Sequence, residues 1–354
     1  MQEIGVLTFH RCINYGSYWQ ARCLVEGLRS KGMSAVLLEH RSGRVDRAEW
    51  RCALQPASPV LTTAADRQLY ASKIRKFVAA SGSLPLSSPF PMENPAEMQN
   101  YELVIVGSDE VWNLEHPWYG HVPLFFGEGL RAKRIASYAA SFGSFTSPDR
   151  LGKGWCDKLR RLDRIAVRDL NSQRLIQTTL GVDPDLVLDP CLQFPQSIRA
   201  LGREAMSEPY LAIYGHSFPD WFKRGVQRSA RDNGLRLVSI GYHNDWADEQ
   251  RIDTGPEAFA RSIAGATAVA TNFFHGCIFA LINEKPFVCA LSSYRLNKVQ
   301  DLTEMLGARR RVVTEATPQS YYREVITSPL EAEIAGSIAT LRNNSNRYFG
   351  HVLQ

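Results

Sequence analysis

Short apolar runs alternate with amphipathic helical stretches along nearly the whole of this chain, and that alternation leaves few folds open. A strand that must bury both faces reads as a continuous apolar run, and parallel strands need a helix to return the chain to the same edge. Residues 3–9 form such a run, followed by a polar turn from His10 to Ser17. A helix is predicted from Ser17, as cap, to about residue 31, with Gly32 closing it. The next strand is predicted at 35–39. Further strands are predicted at 101–106, 134–138, 164–167 and 186–188, with helices near 150–162 and 170–180. A second series begins near 208, with strands at 210–214, 235–240, 267–271 and 286–290. Its helices are predicted at 219–233, 257–264, 275–283 and 296–306. The pattern predicts an α/β protein with two Rossmann-like parallel-sheet domains facing a cleft. The first is expected over 1–195, with an irregular insertion at about 42–100 that includes a helical piece near 64–80, and the second over 196–328. A helix in 329–354 is expected to cross back to the first domain.

Composition narrows the function classes. The chain has 354 residues, 44% hydrophobic and 22% charged, which suits two globular domains. Lys plus Arg less Asp plus Glu is 41 − 36 = +5, and no stretch concentrates the excess. No basic stripe or reading motif is present, so no nucleic-acid partner is expected. The mild excess suits a phosphorylated or carboxylated small substrate, or peripheral contact with an anionic membrane surface. Seven scattered cysteines form no C-x-x-C pair and read as reduced thiols of a cytoplasmic protein. No signal peptide is expected at Met1-Gln2-Glu3, and the apolar runs fall far short of the ~20 residues of a membrane span. The chain has no G-x-G-x-x-G after its first strand, no Walker loop, no nucleophile elbow and no metal-ligand spacing. No cofactor or metal is expected.

Three predicted strand ends carry groups that could do chemistry. Thr271-Asn272-Phe273-Phe274-His275-Gly276 closes a buried strand and opens a helix. A helix start offers free N–H groups and a positive dipole end, a natural seat for an anion. His275 there is able to exchange a proton near neutrality, and Gly276 permits close backbone approach. A structural histidine at a helix start is the competing reading. Asn14-Tyr15-Gly16-Ser17 forms the first loop, with a turn that asks for a positive φ at Gly16. Ser108, Asp109 and Trp112 follow the strand at 101–106. A carboxylate and a flat indole suit a sugar, and a buried network holding the loop explains them equally well.

These segments resemble the polysaccharide pyruvyltransferase family. The resemblance rests on Ile4-Gly5-Val6-Leu7-Thr8-Phe9-His10 with Asn14-Tyr15-Gly16-Ser17 and Gln20, and on Val106 to Asn113. It continues through Ser137 to Gly143, Val167-Arg168-Asp169 with Ser172, Leu188-Asp189-Pro190, and Phe274-His275-Gly276 followed by Lys285-Pro286. The family is similar to the two-domain glycosyltransferases of the GT-B kind. The resemblance implies transfer of a pyruvyl group from phosphoenolpyruvate to two hydroxyls of a sugar, giving a cyclic ketal. The implied acceptor is a glycan or lipid-linked sugar, which would place the protein in the cytoplasm at the inner face of the membrane.

Such chemistry needs one proton-transfer group and several cations or N–H donors, and His275 is assigned the proton. The donor side is assigned to Arg168 as a bidentate clamp, with Gly276, Arg295 and Lys298. Arg168 has a structural alternative, pairing with Asp169 or Asp189. The acceptor side is assigned to Asn14, Tyr15, Gly16, Ser17, Ser108, Asp109 and Trp112. Ketal-forming members can carry an arginine two residues before the histidine, and here that position is Phe273. Arg295 and Lys298 are the nearest substitutes in sequence. Two other readings compete: a GT-B glycosyltransferase using a nucleotide sugar, and a non-catalytic glycan-binding member.

Overall fold

The computed structural model describes residues 3–57, 60–206, 208–291 and 296–354. The chain forms two compact units: Met1–Glu49 with Ser81–Phe194 and Ile338–Gln354, and Trp50–Ala80 with Pro195–Ser337. Each is α/β with a parallel sheet, the expected class. Residues 50–80 group with the second unit, although the sequence reading set them over the sheet of the first.

In the first unit the strands are β1 (Glu3–Leu7), β2 (Ser34–Leu37), β3 (His40–Arg41), β4 (Phe90–Pro91), β5 (Tyr101–Val106), β6 (Ala132–Ser137), β7 (Ala166–Val167) and β8 (Asp185–Leu186). The main sheet runs β2-β1-β5-β6, all parallel, while β3 pairs β4 and β7 pairs β8. Ile4 lies opposite Leu103 in the central pair. Every β1 residue from Ile4 onward is buried, which is why its sequence is a run and not an alternation. From β1 the chain goes first to β2 on one side and later to β5 on the other. The strand order therefore reverses between β1 and β5, where open α/β sheets leave a crevice at their carboxyl ends.

The first helix spans Tyr15–Ser30 and its cap is Asn14, not Ser17. The Asn14 side-chain Oδ1 accepts from the Gly16 and Ser17 backbone N–H groups at 2.8 and 3.3 Å. Asparagine is among the strongest caps, and one oxygen here satisfies two orphan donors. Gly16 consequently sits in the first helical turn and has no positive φ.

The second unit has β9 (Tyr210–Tyr214), β10 (Arg236–Ile240), β11 (Glu249–Arg251), β12 (Ala268–Thr271), β13 (Phe287–Ala290) and β14 (Val312–Val313). They form one parallel sheet in the order β11-β10-β9-β12-β13-β14. Here the order reverses between β9 and β12. Both strands are buried along their whole length, and the helix Phe274–Ile282 starts directly after β12. No helix among the described residues is long and apolar enough to cross a membrane.

Candidate functional site

His275 lies at the reversal point of the second sheet. It is the second residue of the helix Phe274–Ile282 and is 9% exposed. The loop that carries it is tied to the end of β9. Thr271 Oγ1 donates to the Tyr214 carbonyl at 2.6 Å and accepts from the Phe273 N–H at 3.0 Å. Asn272 Nδ2 donates to the His216 carbonyl at 2.8 Å. The two strand-end loops therefore hold each other, and the histidine rides on a rigid first turn. Gly276 serves this packing. A Cβ there would lie 2.0 Å from Thr271 Oγ1, so its open space is filled by a side chain of the same unit and not by a ligand.

Phe273 is 6% exposed and packs edge-on against Tyr214, His216 and Tyr242, with ring centroids 5.0, 5.3 and 5.4 Å away. The position at which the family resemblance implies a guanidinium is thus an aromatic wall. A cation does approach that wall from another element. Lys73 Nζ sits 4.2 Å from the Tyr242 ring centroid and donates to the Gly241 carbonyl at 2.8 Å. Burial pushes its ammonium down to about 7. Lys298 is buried on the helix Leu296–Met305. Arg295 lies outside the described residues.

In the first unit the reversal point holds a buried polar network. Asp109 follows β5 with a φ of 82°, a left-handed conformation that a non-glycine residue adopts only when its surroundings impose it. Ser17 Oγ donates to Asp109 Oδ2 at 2.7 Å. Arg168, just after β7, is 4% exposed. Its Nη1 donates to Asp189 Oδ2 at 2.9 Å and to Gln20 Oε1 at 2.8 Å, and its Nη2 to Asp109 Oδ1 at 3.3 Å. Burial works against this charge, but the carboxylates of Asp189, Asp109 and Asp169 outweigh it and raise the guanidinium's affinity for its proton. The bidentate grip expected for a donor is closed on carboxylates of the chain itself.

The other residues picked for the acceptor are mostly interior. Trp112 is 0% exposed, its indole N–H donates to the Phe125 carbonyl at 2.9 Å, and its ring packs beside Phe126 and Phe142. Ser108 is fully buried, with its carbonyl accepting from Thr8 Oγ1 at 2.8 Å. Tyr15 is buried in the first helical turn. Neither the indole nor the phenol presents a face to a sugar, because each completes the hydrophobic core. Asn14 is the part-exposed member of the first loop.

A cluster at the carboxyl ends of β1 and β2 escaped sequence reasoning. Glu39 receives His10 Nε2 at 2.8 Å, Arg11 Nη1 at 2.6 Å and Arg41 Nε at 3.1 Å. Burial alone would push the Glu39 carboxyl up, but the His10 hydrogen bond and the charges of His10, Arg11 and Arg41 outweigh it and hold it down to about 2. The available signal was two polar pairs, His10-Arg11 and Glu39-His40, each directly following an apolar run.

A family model described as polysaccharide pyruvyl transferase matches residues 14–294 of the chain, which is 281 of 354 residues (294 − 14 + 1). The chain belongs to the polysaccharide pyruvyl transferase family. As a pyruvyl transferase it is an enzyme, and its acceptor class is polysaccharide. The matched stretch of this pyruvyl transferase opens at the cap of the first helix and encloses Arg168, His275 and Gly276, while Arg295 and Lys298 fall beyond it. No curated protein matches the sequence. Among solved structures, the UDP-GlcNAc 2-epimerase of Methanocaldococcus jannaschii is 10% identical, with 98% of this chain and 100% of that chain covered and a TM-score of 0.49. A Streptomyces glycosyltransferase complexed with thymidine diphosphate is 12% identical, with 98% and 96% covered and a TM-score of 0.46. An E. coli heptosyltransferase with ADP is 11% identical, with 96% and 99% covered and a TM-score of 0.42.

Proposed function

We propose that this pyruvyl transferase moves a pyruvyl group from phosphoenolpyruvate to two hydroxyls of a sugar, in a polysaccharide or its lipid-linked precursor, with His275 as the proton-transfer group. A proton adds to the donor's methylene carbon, so that C2 gains cation character. One sugar hydroxyl bonds to C2, the C2–O bond to phosphate breaks, and the second hydroxyl closes the ketal. Of the two hydroxyl protons, one replaces that taken up by the methylene and the other leaves with phosphate. A lipid-linked acceptor would be met at the cytoplasmic face of a membrane.

The observation that carries the reading is an imidazole on the first turn of the helix Phe274–Ile282, at the point where the strand order of its sheet reverses. Open α/β sheets take their ligands there, and the helix start favours the donor's negative charge. Arg168 enters this reading through Asp109 and Asp189, which it orients. The role of a donor cation falls to other groups, and Lys73 stands against the Tyr242 ring of the aromatic wall around Phe273.

The test is incubation with phosphoenolpyruvate and a panel of oligosaccharides and lipid-linked sugars, with product masses and released phosphate followed together. The expected product carries one pyruvyl ketal, the mass of pyruvic acid less water. His275→Gln is expected to lower kcat by about 10²–10⁴ with an unchanged circular dichroism spectrum. Full activity in that variant sinks the assignment, and release of nucleotide from a sugar nucleotide without phosphate release would favour glycosyl transfer instead.

A further inference from the structure

A cavity of about 340 Å³ lies inside the second unit, beyond the carboxyl ends of β9 and β10. Its size falls within the range of ligand pockets, on the order of 300–1,000 Å³. The walls include Asp66 and Tyr70 from the helix Ala64–Gly82, Phe218 after β9, and His243, Asp245 and Trp246 after β10. None of these residues takes part in the chemistry assigned to His275.

The cavity's walls are held before any ligand arrives. The Phe218 and Trp246 rings meet edge to face at 5.6 Å. The His243 N–H donates to Tyr70 Oη at 2.9 Å, and the His243 ring lies 3.0 Å from the Asp66 carboxylate. Asn244, buried beneath, donates to the Gly215 carbonyl and to Ser239 Oγ at 3.0 and 2.8 Å. The bond to the Gly215 carbonyl ties the cavity floor to the loop Gly215–Ser217, whose His216 carbonyl holds Asn272, three residues before His275. The cavity is therefore one rigid loop away from the proposed proton-transfer group.

The chemistry of the walls selects a ligand class. Flat rings offer an apolar surface to C–H groups, while Asp245 and Asp66 offer acceptors to hydroxyls. Among the described residues of the lining the lysine is Lys223, which already pairs with Asp220 at 3.1 Å. With Lys223 paired to Asp220 and Asp66 beside His243, the unpartnered charge among these described residues is the Asp245 carboxylate, which disfavours a phosphate or carboxylate ligand. A neutral polyhydroxylated ring satisfies both the aromatic and the acidic walls.

We infer that this cavity is a sugar subsite, which holds an uncharged hexopyranose unit of a glycan on the second unit, apart from the residue that moves the proton. The inference adds to the pyruvyl-transfer reading a place where a polymeric acceptor is held, and its test needs no turnover. Binding of the methyl glycosides of glucose, galactose, mannose and N-acetylglucosamine, and of oligosaccharides built from them, is measured by saturation-transfer NMR and calorimetry with no phosphoenolpyruvate present. At least one is expected to bind wild type and His275→Ala alike, and to bind Trp246→Ala at least tenfold more weakly. Asp245→Asn, a change at an exposed loop position that leaves the core untouched, is expected to weaken the same ligand by several-fold. Absence of binding by every probe overturns the subsite, as does equal affinity in wild type and Asp245→Asn. Sugar binding without pyruvyl transfer would sink the reaction and leave the subsite standing.

Discussion

Arg168 has its guanidinium among Asp109, Asp189 and Gln20, and 4% of the residue reaches solvent. A buried charge of this kind is held by its partners, and removing one member strands the others. Arg168→Met is expected to cost about 3–5 kcal/mol of stability in urea unfolding, because Asp189 and Asp109 are left buried without a counter-charge. Arg168→Lys should rescue little, since a compact ammonium does not reproduce a planar fork that reaches three acceptors. A normal unfolding midpoint in Arg168→Met, with a raised KM for phosphoenolpyruvate alone, would return the residue to the role of donor clamp. Its place at a strand end was legible in the sequence, because Ala166-Val167 is apolar and the next residues are not. Of its partners, Asp189 was one of the two pairings the sequence offered, and the structure makes it. Gln20 and Asp109 were not legible, because they lie 148 and 59 residues away and nothing local marks them as neighbours. Trp112 shows the same gap. An indole after a strand reads as a sugar platform or as core, and only the packing of Phe125, Phe126 and Phe142 around it decides.

The helix Ala64–Gly82 buries Tyr70, Lys73, Ile74 and Phe77 on one face. Three of these four are ordinary core spacing, and the lysine among them sets a pH dependence that an apolar residue would not. Its ammonium is depressed to about 7 in the folded protein against 10.5 for an unhindered lysine. Between those values the unfolded chain binds more protons than the native one, so this group makes stability rise with pH across that window and contributes nothing further above it. Below 7 both states are protonated and the cost of burying the charge is greatest. Lys73→Met is therefore expected to gain stability relative to wild type at about pH 6.5 and to lose most of that advantage by about pH 10. Urea titrations of both proteins at the two pH values check this, and a difference that stays constant with pH would refute it. The helix itself was legible from its helical apolar pattern, with an end two residues beyond the reading. The strand β11 was not, because Glu249-Gln250-Arg251 carries no apolar residue and forms only by pairing with β10. The short β14 was missed because two residues are too few to show a period, and the helices Gly43–Leu54 and Gln319–Thr327 were passed over although the second buries Tyr322, Val325 and Ile326 at helical spacing.

Two rounds of strand and helix alternation made two sheets legible at the scale of the whole molecule. Which segments complete each unit was harder to read, since a periodic apolar face reports that it is covered and not by what. The last helix, Ala332–Val352, supplies residues of the first unit from Ile338 onward. Phe349 stacks on Tyr138 at 4.4 Å and lies 5.6 Å from Phe194, and both Tyr348 and Phe349 are 1% exposed. Ser345 Oγ accepts from the Leu188 N–H at 2.9 Å, Arg342 donates to the Leu192 carbonyl at 2.7 Å, and Tyr348 Oη donates to the Ser137 carbonyl at the end of β6. Removing this segment exposes the Tyr138 and Phe194 rings and leaves backbone groups of β6 and of residues 188–192 without their partners. Truncating a buried phenylalanine alone costs about 3–5 kcal/mol, a large share of the ~5–15 kcal/mol that holds a domain together. A chain ending at residue 337 is therefore expected to lose the native fold of its first unit, with rapid proteolysis inside residues 81–194, while the sheet β9–β14 keeps its protected amides in hydrogen exchange. Phe349→Ala should destabilise the first unit in the same direction without unfolding it at 25 °C. Equal protection of residues 101–106 in the full-length and shortened chains would show that the first sheet closes without the C-terminal helix.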